Sequence, residues 1–239
     1  MTQLRFFVPN LFTAISAMVG FGSILLSLEG NFTLASWFIL WCVLLDKFDG
    51  TAARVLKASS EFGSEFDSMA DLVAFGMAPA ILVFCVGSNL LGLSPLDRIW
   101  WILSLSCAFY FLMTAVRLAR FNALEHAPEE RTFIGIPTTL CGALIATSFL
   151  VAAKYRIPGQ WLRSFVALLP ILGLGMVSRL PVPKILLRKN PALNGFQIVN
   201  LIGVYLCGIA MVVPEYLLGV TLLYLVVGTT HGLVQRSVS

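Results

Sequence analysis

The chain alternates between long apolar runs and short polar breaks. Each run has about the 20 apolar residues that an α-helix needs to cross the hydrocarbon core of a bilayer. Helix-breaking groups separate the runs, for example Glu29-Gly30-Asn31 and Ser94-Pro95. The pattern predicts about eight transmembrane helices with these approximate bounds: 8–28, 33–56, 64–87, 98–121, 136–153, 161–177, 195–213 and 216–233. Because the sixth span and the last two give the weakest signal, we expect six to eight of these helices to cross the membrane.

The composition agrees with this pattern and excludes an ordinary soluble domain. Of the 239 residues, 58% are hydrophobic and only 12% are charged, whereas soluble domains have about 25% charged residues. The sequence therefore predicts an all-α, polytopic integral membrane protein. The predicted spans use nearly all of the chain, so we expect a single membrane domain over residues 1–239.

The Lys and Arg residues predict the orientation of the helices, because cytoplasmic loops of membrane proteins carry an excess of them. If the N-terminus is cytoplasmic, twelve of the sixteen fall at cytoplasmic ends: Arg5, Lys47, Arg54, Lys57, Arg117, Arg120, Arg131, Arg179, Lys184, Arg188, Lys189 and Arg236. The loop between the second and third spans then faces the cytoplasm. The net charge of +4 is explained by this asymmetry and by lipid headgroups, and it requires no nucleic-acid partner.

Four aspartates, Asp46, Asp49, Asp67 and Asp71, interrupt the apolar pattern at the end of the second span and the start of the third. An ionised carboxylate at membrane depth is costly unless a cation compensates it. The connection between the two spans is short, so we expect antiparallel helices with their acidic faces together at the cytoplasmic end. Four neighbouring carboxylates would not all ionise alone, and divalent cations are therefore expected.

The type of ligand indicates the chemistry of this cluster. Carboxylate oxygens without Cys or His favour Mg²⁺ or Mn²⁺ and are compatible with Ca²⁺. Such ions usually serve phosphate groups, and Arg54 adds a cation suited to bidentate phosphate recognition. We therefore expect displacement at phosphorus, with a spare carboxylate accepting a proton. Two other interpretations are the carboxylates of a cation-coupled transporter and helix-end charges solvated at the membrane interface.

The spacing of the cluster is more specific than its composition. The sequence reads Asp46-x-x-Asp49-Gly50-x-x-Ala53-Arg54, followed after eight residues by Gly63-x-x-x-Asp67-x-x-x-Asp71. This string resembles the signature of the CDP-alcohol phosphatidyltransferases and matches it at every specified position. The resemblance implies transfer of a phosphatidyl group from a CDP-linked lipid to an alcohol, with release of CMP.

The resemblance also implies a role for each signature residue. Asp46, Asp49, Asp67 and Asp71 would bind two divalent metal ions on the diphosphate, and Asp71 would also be the general base. Four further positions would line the nucleotide pocket: Gly50, Ala53, Arg54 and Gly63. On one face of the first helix, Asn10 and Thr13 can either hydrogen-bond the nucleotide or diphosphate or cap the helix.

Further segments resemble the branch of the family that uses serine: residues 67–79, 117–122, 133–137 and 176–184. Together with residues 9–13, which open the first span as in many members, they extend the resemblance over residues 9–184. The spans within 195–233 lie beyond it. We expect CDP-diacylglycerol and L-serine as substrates. Glycerol phosphate, inositol phosphate or another alcohol is the alternative acceptor, since Thr138-Thr139 stand where serine enzymes often have Ser/Ala-Pro.

Two arginines near the cytoplasmic end of the fourth span are candidates for binding the acceptor. Arg117 and Arg120 are three residues apart, so they can face one cavity, and either can pair with the carboxylate of an amino acid. Asn122 adds a polar amide nearby. The alternative is that both arginines extend to anionic lipid headgroups.

Small residues indicate close contacts between helices. Gly20, Gly22, Gly203 and Gly208 allow helices to approach either inside one protomer or at a dimer interface. We expect a homodimer. A transporter would be expected to place its site near the membrane midplane between pseudo-symmetric halves. The acidic cluster lies instead at a helix end and the sequence shows no internal repeat, so an enzyme is favoured.

Overall fold

The fold is built almost entirely from helices. The computed structural model describes residues 2–55, 60–124, 132–158, 162–183 and 191–238, and these ranges contain nine α-helices, one π-helical segment and two short strands. In chain order the elements are α1 (Thr2–Leu28), α2 (Phe32–Val55), α3 (Glu61–Asp71), the π-helical segment (Leu72–Met77), α4 (Ala78–Leu91), α5 (Arg98–Leu124), β1 (Thr132–Ile134), α6 (Thr138–Lys154), α7 (Leu162–Val177), β2 (Pro181–Pro183), α8 (Pro191–Ala210) and α9 (Pro214–Val238).

Each predicted span coincides with a helix, and the third corresponds to α3, the π-helical segment and α4 in continuous succession. Among the described residues, three stretches are long and apolar enough to cross a membrane: Phe7–Leu28, Glu61–Leu91 and Arg98–Ala123. The apolar stretches in α6 to α9 are shorter, and α2 carries four charged residues, Asp46, Lys47, Asp49 and Arg54. The chain is an integral membrane protein. The number of crossings and their orientation stay predictions.

A cap at the start of α3 fixes where the later aspartates lie. The hydroxyl oxygen of Ser60 accepts a hydrogen bond from the backbone N–H of Gly63 at 3.0 Å. A cap of this kind satisfies one of the N–H groups that have no partner inside the helix. Asp67 and Asp71 follow on the same helix, which ends at Asp71. The side chain of Ser60 therefore sets where α3, the helix that carries both carboxylates, begins.

The π-helical segment follows Asp71 directly, and helices from both sides hold it. Gly20 of α1 lies so close that a Cβ atom there would be 3.0 Å from the Cα atom of Ala74. From α5, the buried hydroxyl of Tyr110 donates a hydrogen bond to the carbonyl oxygen of Phe75 at 2.9 Å. Single π turns within α-helices often occur at functional sites. These contacts fix the backbone immediately after the last aspartate.

The glycines that indicated close helix contacts all face other parts of the same chain. Besides the contact of Gly20, a Cβ atom would meet Phe38 at Gly22, Tyr216 at Gly203 and Leu44 at Gly208, in each case at 3.2 Å or less. Close approach within the protomer is therefore the reason for small residues at these positions. The homodimer stays a separate prediction.

Two short strands, which the all-α prediction did not contain, join distant segments of the chain. β1 and β2 pair in antiparallel orientation. Beside them, Gly135 has φ +84° and donates its N–H to the carbonyl oxygen of Leu180 at 2.8 Å. A Cβ atom on Gly135 would collide with the carbonyl oxygen of Met176. Two segments that carry the family resemblance, around residues 133–137 and 176–183, are thus parts of one structure that leads into α6.

Candidate functional site

Three of the four signature aspartates come together between α2 and α3. Asp46, Asp67 and Asp71 each offer one carboxylate oxygen, and these oxygens all lie within 4.8 Å of one another. All three side chains are half-buried. The juxtaposition that the sequence predicted is thus present for these residues. Asp49 lies on α2 three residues after Asp46, but its side chain is outside the described part of the structure.

The donor set of this cluster fits a hard divalent cation. Carboxylate oxygens from two helices converge, as Mg²⁺ and Mn²⁺ sites require. Three carboxylates at such distances repel one another, which a bound cation relieves. Within the described residues, Lys47 forms an ion pair with Asp46 (Nζ to Oδ2, 3.4 Å), but this lysine is largely exposed and its contribution is small. The cluster therefore has the chemistry of a metal site.

Two small residues of the signature, Gly50 and Gly63, lie on the helices that carry the three aspartates. A Cβ atom at Gly50 would meet no described atom within 4 Å, so the described residues leave space beside this turn of α2. At Gly63 a Cβ atom would lie 3.1 Å from the side-chain oxygen of Asn10, which shows that α1 reaches the start of α3. The side chains of Ala53 and Arg54, also assigned to the nucleotide pocket, are outside the described part of the structure.

Asn10 and Thr13 lie inside α1, not at its end. The helix begins at Thr2, so the alternative that these residues cap it is wrong. The buried hydroxyl of Thr13 donates a hydrogen bond to the carbonyl oxygen of Pro9 at 3.2 Å. The proximity of Asn10 to Gly63 places this part of α1 beside the helix that carries Asp67 and Asp71.

Arg117 is buried within electrostatic range of the carboxylate cluster. Its side chain is 9% exposed, and it is close enough to Asp46 and Asp71 to interact with them electrostatically. Nη1 donates a hydrogen bond to the hydroxyl oxygen of Thr138 at 3.3 Å, whereas Nε has no hydrogen-bond partner among the described residues. A side chain buried to this degree does not extend to lipid headgroups. The sequence marked Thr138 only as a departure from the serine branch, and no local pattern predicted its contact with Arg117.

Arg120 and Asn122 connect α5 to its neighbours. Nη1 of Arg120 donates a hydrogen bond to the carbonyl oxygen of Val177, at the end of α7, at 2.9 Å. The amide nitrogen of Asn122 donates to Glu65 at 3.1 Å, and its oxygen accepts a hydrogen bond from the hydroxyl of Ser68 at 3.0 Å. Glu65 and Ser68 flank Asp67 on α3. Asn122 therefore ties the end of α5 to the helix turn that carries Asp67.

Comparison with known proteins identifies the family. The model of the CDP-alcohol phosphatidyltransferase family matches residues 6–174. This chain belongs to the CDP-alcohol phosphatidyltransferase family. The family that the aspartate string resembles is thereby confirmed, and the match covers most of the chain. Helices α8 and α9 lie beyond the matched residues.

Several curated relatives carry names that specify a serine acceptor. A CDP-diacylglycerol–serine O-phosphatidyltransferase of Helicobacter pylori is 37% identical over 177 residues, which cover 73% of this chain and 71% of the relative. The enzyme of the same name from Bacillus subtilis is 36% identical over 145 residues, covering 60% and 76%. An archaetidylserine synthase of Methanothermobacter thermautotrophicus is 28% identical over 180 residues, covering 74% and 70%.

Proposed function

We propose that this chain transfers the phosphatidyl group of CDP-diacylglycerol to L-serine, giving phosphatidylserine and CMP. The observation that carries the proposal is the convergence of Asp46, Asp67 and Asp71 in a member of the CDP-alcohol phosphatidyltransferase family. The names of the relatives from H. pylori and B. subtilis support serine as the acceptor. The family match favours this reaction over transport of a cation by the same carboxylates.

The four signature aspartates would hold the divalent metal. Asp46, Asp49, Asp67 and Asp71 supply only oxygen ligands, which suit two ions of Mg²⁺ or Mn²⁺ and are compatible with Ca²⁺. When bound, these ions neutralise charge on the diphosphate of the CDP-lipid. Ligands from both α2 and α3 are required, so the packing of the two helices sets the shape of the site.

Asp71 is the proposed general base. It accepts the hydroxyl proton of serine, and the serine oxygen forms a bond to the lipid phosphorus. The bond between that phosphorus and the oxygen of CMP breaks, and CMP leaves. The backbone after Asp71 is fixed by Tyr110 and Gly20, which hold the π-helical segment in place. A base needs this constraint because proton transfer depends on hydrogen-bond distance to the substrate.

The CDP group would lie along the small residues of the signature. Gly50 borders open space among the described residues, and Gly63 lies against Asn10. We assign Gly50, Ala53 and Gly63 to the walls of this pocket, and we assign Asn10, Thr13 and Arg54 to hydrogen bonds with the nucleotide or diphosphate. Arg54 suits a phosphate because a guanidinium can donate two parallel hydrogen bonds.

The carboxylate of serine would bind at Arg117. This guanidinium is buried beside the aspartates and has unused donor capacity at Nε among the described residues. Thr138 orients it from α6. Arg120 and Asn122, on the same helix, were assigned to the acceptor from the sequence, and this assignment stays a prediction. We place the site on the cytoplasmic face, at the ends of α2 and α3, in a homodimer.

The assay that tests the proposal measures CMP released by the purified chain from CDP-diacylglycerol and Mn²⁺ or Mg²⁺. Serine, glycerol phosphate and inositol phosphate are compared as acceptors, and Asp71→Asn is the matched inactive control. Release of CMP with serine alone is the expected result. Release with another alcohol and not with serine would overturn the acceptor, and no release with any alcohol would overturn the reaction class.

A further inference from the structure

Helix α8 lies outside the part of the chain that the family model matches, yet it packs against the helix that carries Asp46. The match ends at residue 174, and α8 begins at Pro191. Three residues of α2, Trp41, Leu44 and Phe48, contact α8. Their spacing of three and four residues places them on one face of the helix. This face extends along α2 to both sides of Asp46 in the sequence.

The first part of the contact is a close approach of the two helices. The indole N–H of Trp41 donates a hydrogen bond to the carbonyl oxygen of Gly208 at 3.0 Å. Because Gly208 has no side chain, Leu44 can lie where a Cβ atom would be only 2.9 Å from its Cδ1 atom. In membrane proteins, small residues permit such close packing and polar groups between helices add to it. α8 therefore packs closely against α2 at Trp41 and Leu44, shortly before Asp46.

The second part of the contact lies on both sides of Asp46 along α2. The hydroxyl of Tyr205 donates a hydrogen bond to the carbonyl oxygen of Leu44 at 3.5 Å. Its ring lies edge-on to Phe48, with 5.1 Å between the ring centroids, and Phe48 stacks in turn on Phe12 of α1. Tyr205 is also close enough to Asp46 to interact with it electrostatically. Tyr205 thus contacts α2 two residues before and two residues after Asp46.

We propose that Tyr205 is a positioning residue for the metal site, holding the turn of α2 that carries Asp46 so that its carboxylate meets those of Asp67 and Asp71. This inference rests on the proposed metal-binding role of the aspartates. The three oxygens come from two helices, and their mutual distances of at most 4.8 Å depend on where each helix end lies. Groups that orient metal ligands typically affect metal affinity by about 10- to 100-fold.

The test is direct binding of Mn²⁺ to the full-length chain in detergent micelles, without substrate, measured by the electron paramagnetic resonance signal of free Mn²⁺. Tyr205→Phe keeps the ring and removes the hydroxyl, and we expect the dissociation constant to rise about 2- to 3-fold, as for one lost hydrogen bond that is long at 3.5 Å. Tyr205→Leu also removes the ring contact with Phe48, and we expect a rise of about 10- to 100-fold.

The matched control is Tyr216→Phe. The hydroxyl of Tyr216 also contacts α8, since it donates to the Asn200 carbonyl oxygen at 3.2 Å or to its side-chain oxygen at 3.0 Å. We expect this variant to bind Mn²⁺ like the unmodified chain. An unchanged Mn²⁺ affinity in Tyr205→Phe and Tyr205→Leu would overturn the inference, as would an equal loss in Tyr216→Phe.

Thermal unfolding separates positioning from loss of the fold. Tyr205→Phe is the conservative variant, and the inference requires weaker Mn²⁺ binding with an unfolding midpoint close to that of the Tyr216→Phe control. If Tyr205→Leu fails to fold, the result for Tyr205→Phe decides. If the unmodified chain binds no Mn²⁺, the proposed metal site is overturned together with this inference. If the unmodified chain binds Mn²⁺ and the Tyr205 variants bind it equally well, only this inference is overturned and the proposed reaction stands.

Discussion

The guanidinium of Arg117 donates a hydrogen bond to the hydroxyl of Thr138 at 3.3 Å, beside the aspartates of α2 and α3. The Nε atom of the same group is buried and has no hydrogen-bond partner among the described residues. A buried donor without a partner costs free energy, which an anionic substrate group would recover on binding. Of the three residues that the sequence assigned to the acceptor, Arg117 is therefore the one whose surroundings favour a bound carboxylate.

We predict that Arg117→Lys raises the KM for serine by about 10- to 100-fold, the usual effect of losing a hydrogen bond to a charged group. Lysine keeps the charge but loses the planar fork of donors. The KM for CDP-diacylglycerol should change much less. Both constants are measured from the rate of CMP release while one substrate is varied.

One control and one comparison accompany this variant. Arg98→Lys makes the same change at the exposed first residue of α5, and it should leave both constants unchanged. Arg120→Lys tests the neighbouring arginine, whose described hydrogen bond goes to the backbone of Val177. A rise mainly in the KM for CDP-diacylglycerol would place Arg117 at the diphosphate, and equal or absent effects on the two KM values would remove it from the acceptor site.

The metal requirement gives a second prediction. Asp46→Asn and Asp67→Asn should each lower activity by at least about 100-fold, because a lost metal ligand has a larger effect than the 10- to 100-fold of a group that only orients one. An excess of chelator should abolish the activity of the unmodified chain. Activity is measured as CMP release over a range of Mn²⁺ concentrations, and circular dichroism checks that the variants remain helical.

Asp97→Asn is the matched control for these two variants. Asp97 is an exposed aspartate before α5, where its carboxylate accepts hydrogen bonds from the N–H and hydroxyl of Ser94. An asparagine oxygen can still accept there, so activity should be unaffected. Full activity of the unmodified chain in excess chelator would refute the metal mechanism.

Asp71→Asn is predicted to separate catalysis from binding. Loss of a general base lowers turnover by about 100- to 10,000-fold, while ground-state binding is less affected. We expect CDP-diacylglycerol to bind the variant measurably in a titration without serine. If binding is lost to the same degree as turnover, Asp71 acts mainly as a metal ligand.

The helices and the aspartates could be predicted because their signals are local in the sequence. Each predicted span has its helix, since a long apolar run leaves a membrane-embedded chain few other structures. The spacing of Asp46, Asp67 and Asp71 was sufficient to place them together, because it fixes one face on each of two neighbouring helices. Local periodicity therefore gave both the framework and the centre of the candidate site.

The surrounding contacts could not be predicted in the same way. Arg117 and Thr138 are 21 residues apart, and Leu44 and Tyr205 are 161 apart, so no local pattern connects them. The π-helical segment has the same apolar composition as an ordinary helix turn. β1 and β2 have only three residues each, too few for a recognisable alternation. These features depend on how helices pack, which is a property of the whole fold.

The last prediction concerns Asn122, whose contacts favour support of α3 over binding of the acceptor. Both polar groups of its amide are engaged, by Glu65 at 3.1 Å and by Ser68 at 3.0 Å. At about 0.5–1.5 kcal/mol for each hydrogen bond, Asn122→Ala should lower the free energy of unfolding by about 1–3 kcal/mol. Because Asp67 lies between these two partners, the variant should also need more Mn²⁺ for half-maximal activity.

Ser68→Ala is the matched variant, since it removes one of the two hydrogen bonds and leaves Asn122 in place. It should show about half of the loss of stability, with a smaller rise in the Mn²⁺ requirement. At saturating Mn²⁺ the supporting role predicts similar KM values for serine and for CDP-diacylglycerol in both variants and in the unmodified chain. A residue that contacts serine behaves differently, because its loss weakens the binding of one substrate only. A selective rise in the serine KM of Asn122→Ala, with unchanged thermal stability, would therefore assign Asn122 to the acceptor.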